Sequence, residues 1–206
     1  MNLNIKEIYV FNRALDGKDL VFMPLFKELE ISDMVVDAVK EGMIKKGLLK
    51  THGEFTELGL MVAGRLHRYK EAKRHVKIDN LLIGIANEKE SILLLWNPLF
   101  KEYSIRVVNG EMGGKQISES YDFLMEEADE PKGNIGELIS DEDKDMLNVE
   151  VTDSFRLSSS FAGNKSEEVY FKKNNILYIY DCLGQILSSE SKQNILSILD
   201  ERMKLS

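Results

Sequence analysis

The chain has 206 residues, 43% of them hydrophobic and 30% charged, the balance of an ordinary globular protein. A formal net charge of -8 argues against nucleic acid as the default partner, because phosphate binding depends on Lys and Arg. One cysteine, Cys182, excludes an internal disulfide, and no apolar run is long enough to span a bilayer. Met1-Asn2-Leu3-Asn4-Ile5-Lys6 lacks a basic region followed by an apolar one, so no leader is expected and the chain reads as cytoplasmic.

In chain order, apolar residues at near-helical spacing predict a short helix from Ile5 to Leu15, broken by Asp16-Gly17. Val21 to Phe26 is apolar but interrupted by Pro24, as a packed connector would be. Ser32 can cap the next helix, whose stripe runs through Met34, Val35, Ala38, Val39, Met43 and Ile44 to a stop at Gly47. Thr56 caps a third helix through Leu60, Leu66 and Tyr69, which the charged residues from Arg68 to Lys77 finish. The period then changes to two. Ile78 to Ala86, Ser91 to Trp96 and Tyr103 to Val108 predict strands, joined by a turn at Asn87–Glu90 and a longer loop at Asn97–Lys101.

A helix from about Lys115 to Ala128 follows. The acidic stretch from Glu126 to Asp145, with Pro131, Gly133 and Gly136, marks a linker that could hold one short helix capped by Ser140. Beyond it, Val149 to Ser158, Glu168 to Lys173 and Asn175 to Asp181 read as strands, and Glu190 to Lys204 as a helix. The element order therefore repeats without detectable sequence identity. The expected fold class is α+β: a central antiparallel sheet built from two pseudo-symmetric βββα halves, flanked by helices, with an N-terminal helical, winged-helix-like unit. One domain of 1–206 is expected, divided into 1–75, 76–130, an acidic linker at 131–148, and 149–206.

Catalytic constellations are not visible. His52, His67 and His75 all lie in the helical block, and none neighbours Cys182, which sits in an apolar run as a core residue would. Gly110-Glu111-Met112-Gly113-Gly114-Lys115 lacks the spacing and the hydroxyl of a phosphate loop. The carboxylates of 126–145 lack the spacing of a calcium loop and read as a solvated acidic surface. No enzyme activity, catalytic residue, metal or cofactor is expected.

The block from Ser32 to Arg74 has the outline of half a winged DNA-binding domain, and a winged-helix-like transcription regulator is the alternative function. The would-be reading helix, however, offers Asp33, Asp37, Lys40 and Glu41 and no arginine. The basic cluster Arg65, Arg68, Lys70, Lys73, Arg74 and Lys77 falls on the later helix, and Thr51–Glu54 supplies a tight turn in place of a wing.

Exposed apolar residues carry more. Pro98-Leu99-Phe100 sits at a hairpin tip where polar residues belong, so it either folds back onto the body or waits for a partner. Phe155 and Phe161, in a serine-rich stretch, pose the same question.

Leu29 through Val108 resembles the EspG-like secretion chaperones of type VII (ESX) secretion systems, in the EsaE-type branch of Gram-positive bacteria outside the mycobacteria. The matching phrases are Lys46-Gly47-Leu48-Leu49 and Phe55-Thr56-Glu57-Leu58-Gly59. They continue with the strand Val76-Lys77-Ile78-Asp79, then Ser91-Ile92-Leu93-Leu94-Leu95, Tyr103–Val108 and Glu119–Met125. The resemblance covers roughly the first 125 residues; beyond them element order alone supports it. It implies a cytoplasmic, non-enzymatic adaptor that binds a helical secretion substrate (WXG-like or LXG-like), keeps it soluble and presents it to an FtsK-type ATPase, with no nucleic acid and no membrane insertion. Sheet, helices and the loop Asn97–Lys101 would form the substrate surface, making Trp96, Pro98, Leu99, Phe100 and Phe161 the expected partner-binding residues.

Overall fold

The computed structural model describes residues 1–29, 31–109, 114–131, 137–138 and 154–205. The fold is α+β with antiparallel strands, as expected, and its contacts divide into two units. Met1–His75 and Asn80–Gly110 make the first, Val76–Asp79 and Glu111–Ser206 the second.

The first unit opens with a strand that periodicity did not reveal: β1, Asn2–Asn4, paired antiparallel with Glu102–Ser104. Three residues are too few to show a period. Asn4 ends β1 and starts α1, Ile5–Leu15, through a capping box in which its side chain accepts from Lys6 N and Glu7 N while the Glu7 carboxylate accepts from Asn4 N. Glu7 is buried, and Lys46 Nζ, 2.9 Å away, neutralises it. At the other end, Lys70 donates to Asn12 and Asp16, so both ends of α1 are held by ion pairs.

α2, Asp33–Lys45, starts at Ser32 and α3, Glu57–Lys70, at Thr56, both as expected. Ile8, Phe11, Met43, Leu48, Val62, Leu66 and Tyr69 pack this helical layer onto one face of the strands β3, Leu81–Asn87, β4, Glu90–Asn97, and β5, Glu102–Asn109. Strand order in this unit is β1-β5-β4-β3. Gly84 of β3 lets α3 approach: a Cβ there would lie 2.8 Å from the Tyr69 ring.

Residues 74–78 correct the expected boundary. They form strand β2, Arg74–Ile78, and are not the end of α3, which is capped at Glu71. Four of the five are buried, so the strand carries no alternation to read, and its charged letters imitate a helix tail. The basic cluster is accordingly dispersed between α3, the connector and β2. His75 lies on the strand, buried, with Nε2–H donating to the Tyr69 carbonyl at 2.7 Å.

The second unit has strand order β2-β7-β8-β9-β10-β6. Here β6 is Glu137–Leu138, β7 Ser154–Phe161, β8 Asn164–Lys173, β9 Ile176–Asp181 and β10 Ile186–Glu190. β10, five residues long with two serines, gave no signal. The final helix, Lys192–Met203, is capped by Ser191. The expected helix capped by Ser140, and residues 149–153 of the expected strand, lie outside the described residues.

The helix expected over 115–128 is two short ones, α4, Gly114–Ser118, and α5, Asp122–Met125, so the closing helix is α6. Ser118 Oγ and Ser120 Oγ donate to backbone carbonyls within α4, and Tyr121 between the helices is extended. Its ring is drawn onto Phe155 at 4.3 Å, which stacks in turn on Tyr170 at 4.7 Å, while its hydroxyl donates to Asp79. Phe155 is thus a core residue. Beneath the column, Glu168 accepts from Tyr170 and from the guanidinium of Arg202, fixing α6 to the strands.

Candidate partner-binding site

The motif phrases of the resemblance build a corner between α2 and α3. Gly47, at φ 70°, turns the chain out of α2, and Leu48 and Leu49 are buried. Thr56 N donates to the Leu48 carbonyl, Thr56 Oγ1 donates to the Gly47 carbonyl at 2.6 Å and accepts from Gly59 N at 3.1 Å. Gly59 rests directly on Leu48: a Cβ at 59 would collide with the Leu48 carbonyl oxygen. Lys46, Leu48, Leu49, Phe55, Thr56 and Gly59 are thus engaged internally. The corner is architecture.

Several of its charges are paired as well. Arg68 pairs with Glu90 at 2.8 Å, Lys70 with Asp16, and Asp33 and Asp37 with Arg13 and Lys40. His52 bonds Glu54, whose carboxyl is held below its ordinary range by His52 and Lys50. Among the described residues, no group of three or more His, Cys, Asp and Glu is placed to hold a metal, and no helix is long and apolar enough to cross a membrane. Cys182 is half-buried at the head of the β9–β10 turn, and burial, with Glu167 beside it, pushes its thiol up, away from thiolate reactivity.

The β4–β5 hairpin differs. The last strand pair is Asn97 with Glu102, leaving residues 98–101 as the loop. Asn97 Oδ1 accepts from Leu99 N at 3.0 Å and Phe100 N at 3.3 Å, and Lys101 closes the turn at φ 52°. Proline at 98 fixes one more dihedral. The loop backbone is therefore well determined, while Leu99 and Phe100 are 81% and 67% exposed. Leu95, on the adjoining strand, is also exposed. Of the two outcomes open to this tip, folding back is ruled out.

The other expected residues are placed differently. Trp96 is half-buried, its ring centroid 4.7 Å from that of Tyr103, and packs against the core of the first unit. Burial raises the Tyr103 hydroxyl above its ordinary range, as befits a core position. Phe161 is the last residue of β7 in the second unit and half-buried. The hairpin thus brings together Pro98, Leu99 and Phe100, and adds Leu95. Alternation could have flagged Leu95, because Leu94 and Trp96 face the helical layer.

Residues 1–206 match the family described as "Domain of unknown function (DUF5081)". The chain belongs to that family. It is also similar to the "Type VII secretion system protein EsaE" of Staphylococcus aureus strains USA300 and NCTC 8325 / PS 47. In each case the match is 25% identical over 153 residues, 69% of this chain and 67% of the relative. The sequence is therefore distantly related to a type VII secretion protein.

Proposed function

We propose that this chain is a cytoplasmic chaperone or adaptor of a type VII secretion system, which binds a helical secretion substrate through the β4–β5 tip. The observation that carries the reading is the rigid tip with Leu99 and Phe100 turned to solvent, on a chain distantly similar to a type VII secretion protein. Large apolar groups on a preorganised loop bind at low entropic cost, since the loop conformation is fixed beforehand. Covering an aggregation-prone helical surface lowers its free concentration until the substrate is presented to the secretion ATPase. The chain itself then needs no catalytic group.

Co-expression with a small helical WXG-like protein is the test. A soluble complex should form, and Leu99→Ser with Phe100→Ser should weaken it by at least about tenfold per residue, the worth of burying one large apolar side chain. Failure of the wild type to keep that protein soluble, or an unchanged affinity in the double variant, overturns the reading. For the regulator alternative no specific observation speaks: of the α3 cations, Arg68 and Lys70 are engaged by Glu90 and Asp16.

A further inference from the structure

α3 carries apolar residues on two faces, and the helical layer uses one of them. Val62, Ala63, Leu66 and Tyr69 point inward and are buried. Leu60 and Met61 point outward, 59% and 41% exposed. The inner face already fills the core, so the outer pair adds little to folding.

Gly64 lies on the same outer face, about one turn beyond Leu60 and Met61. A glycine inside a helix costs about 1 kcal/mol relative to alanine. Gly59, in the same helix, meets a need of the fold, because a Cβ there would strike the Leu48 carbonyl oxygen. At Gly64 a Cβ would meet nothing within 4 Å. Nothing among the described residues calls for that glycine. What its missing Cβ offers is a place where another backbone can come close.

The charges at the two ends of this patch specify what comes close. Glu57 is exposed in the first turn of α3, and Arg65 follows two turns later. Among the described residues Glu57 forms no ion pair, and the Arg65 guanidinium reaches only the sulfur of Met61, at 3.5 Å. Their neighbours on the helix are satisfied, Arg68 by Glu90 and Lys70 by Asp16. Glu57 and Arg65 each stand one turn from Met61, on opposite sides of it and with opposite sign. A patch that is acidic at one end, basic at the other and apolar between them is complementary to itself turned end for end. That is the condition for an isologous twofold contact.

We infer that the outer face of α3 binds a second copy of this chain, the two helices antiparallel, with Met61 on the twofold axis. Glu57 of each copy meets Arg65 of the other, Leu60 and Met61 are covered, and Gly64 gives the backbones room beside the crossing point. The surface lies wholly within the first unit and is independent of the chaperone reading. One helix face buries less than the roughly 1,200 Å² at which stable complexes begin, so the pair dissociates readily, and salt weakens it further.

Sedimentation equilibrium of the full chain at low salt, between about 10 μM and 1 mM, tests this. The wild-type mass should climb reversibly from monomer towards dimer. Arg65→Glu and Glu57→Arg should each lower the association constant by at least about tenfold, because each sets like charges opposite one another. Mixed in equal amounts, the two variants should recover the dimer, since the acidic face of one then meets the basic face of the other. That recovery also shows both variants to be folded. A wild type that stays monomeric throughout, single variants that associate as the wild type does, or a mixture that stays monomeric would each overturn the inference.

Discussion

The α2–α3 corner and the β4–β5 tip are built from the same local chemistry, a side-chain oxygen capping backbone amides beside a residue at positive φ, yet they end in opposite states. At the corner Thr56 is used in both directions, Leu48 and Leu49 are buried and Gly59 is pressed onto a carbonyl. At the tip Asn97 satisfies the backbone, and the two large side chains it positions touch little of the protein. The corner carries the family resemblance most plainly, but its recognisable residues are consumed in folding. The tip has no recognisable motif, and its residues remain unspent. A motif located by likeness is therefore a guide to fold here, and leftover apolar surface on a fixed frame is the guide to binding.

The largest expected effect breaks the corner. Gly59→Ala places a methyl group against the Leu48 carbonyl oxygen, a backbone atom that cannot swing aside. Overpacking of this kind, with loss of the Thr56 cap as α3 shifts, should cost about 3 kcal/mol or more. Urea denaturation measures it. A midpoint equal to that of wild type would show that α3 can slide along Leu48, and the corner would no longer count as fully engaged.

A second effect separates the two regions by pH. Burial lowers the pKa of His75 below its usual 6.5, so the folded chain holds it neutral under Tyr69 while the unfolded chain takes up the proton. The unfolded state then binds more protons as the pH drops below about 6.5, and stability is lost in that direction, by at most about 1.4 kcal/mol per pH unit. The thermal midpoint should fall between pH 7 and pH 5, and His75→Gln, which keeps a donor for the Tyr69 carbonyl, should flatten the fall. An identical slope in the variant would assign the acid sensitivity to other groups. Leu99 and Phe100 carry no ionisable group, so their replacement should leave the slope unchanged.

How much of this was legible follows from where side chains spend their information. α1, α2, α3 and α6 were readable because one face of each is apolar and a capping residue precedes it, as Ser32, Thr56 and Ser191 do. Periodicity missed β2, where only the resemblance supplied a strand at Val76–Asp79, because a strand buried on both faces does not alternate, and it missed β1 because three residues have no period. The break at Tyr121 depends on Asp79 and Phe155, which are distant in sequence, and no local rule could supply them. At the site, the sequence posed the question of Leu99 and Phe100 but could not decide between burial and exposure. Trp96 shows why: it belongs to the same apolar run, yet Tyr103 claims it.

The smallest expected change in stability is the most telling about the tip. Leu99→Ser and Phe100→Ser should each leave the unfolding free energy within about 0.5 kcal/mol of wild type, because residues 81% and 67% exposed forfeit little burial on replacement. Asn97→Ala should differ from both. It leaves Leu99 and Phe100 in place but removes the oxygen that holds their two amides, so the loop samples more conformers before binding. Affinity for a helical partner should fall in Asn97→Ala although no apolar contact has been deleted, and the folded strands should keep their melting profile. If affinity instead follows the apolar side chains alone, the fixed frame is incidental, and the contrast between an engaged corner and a poised tip reduces to one of exposure.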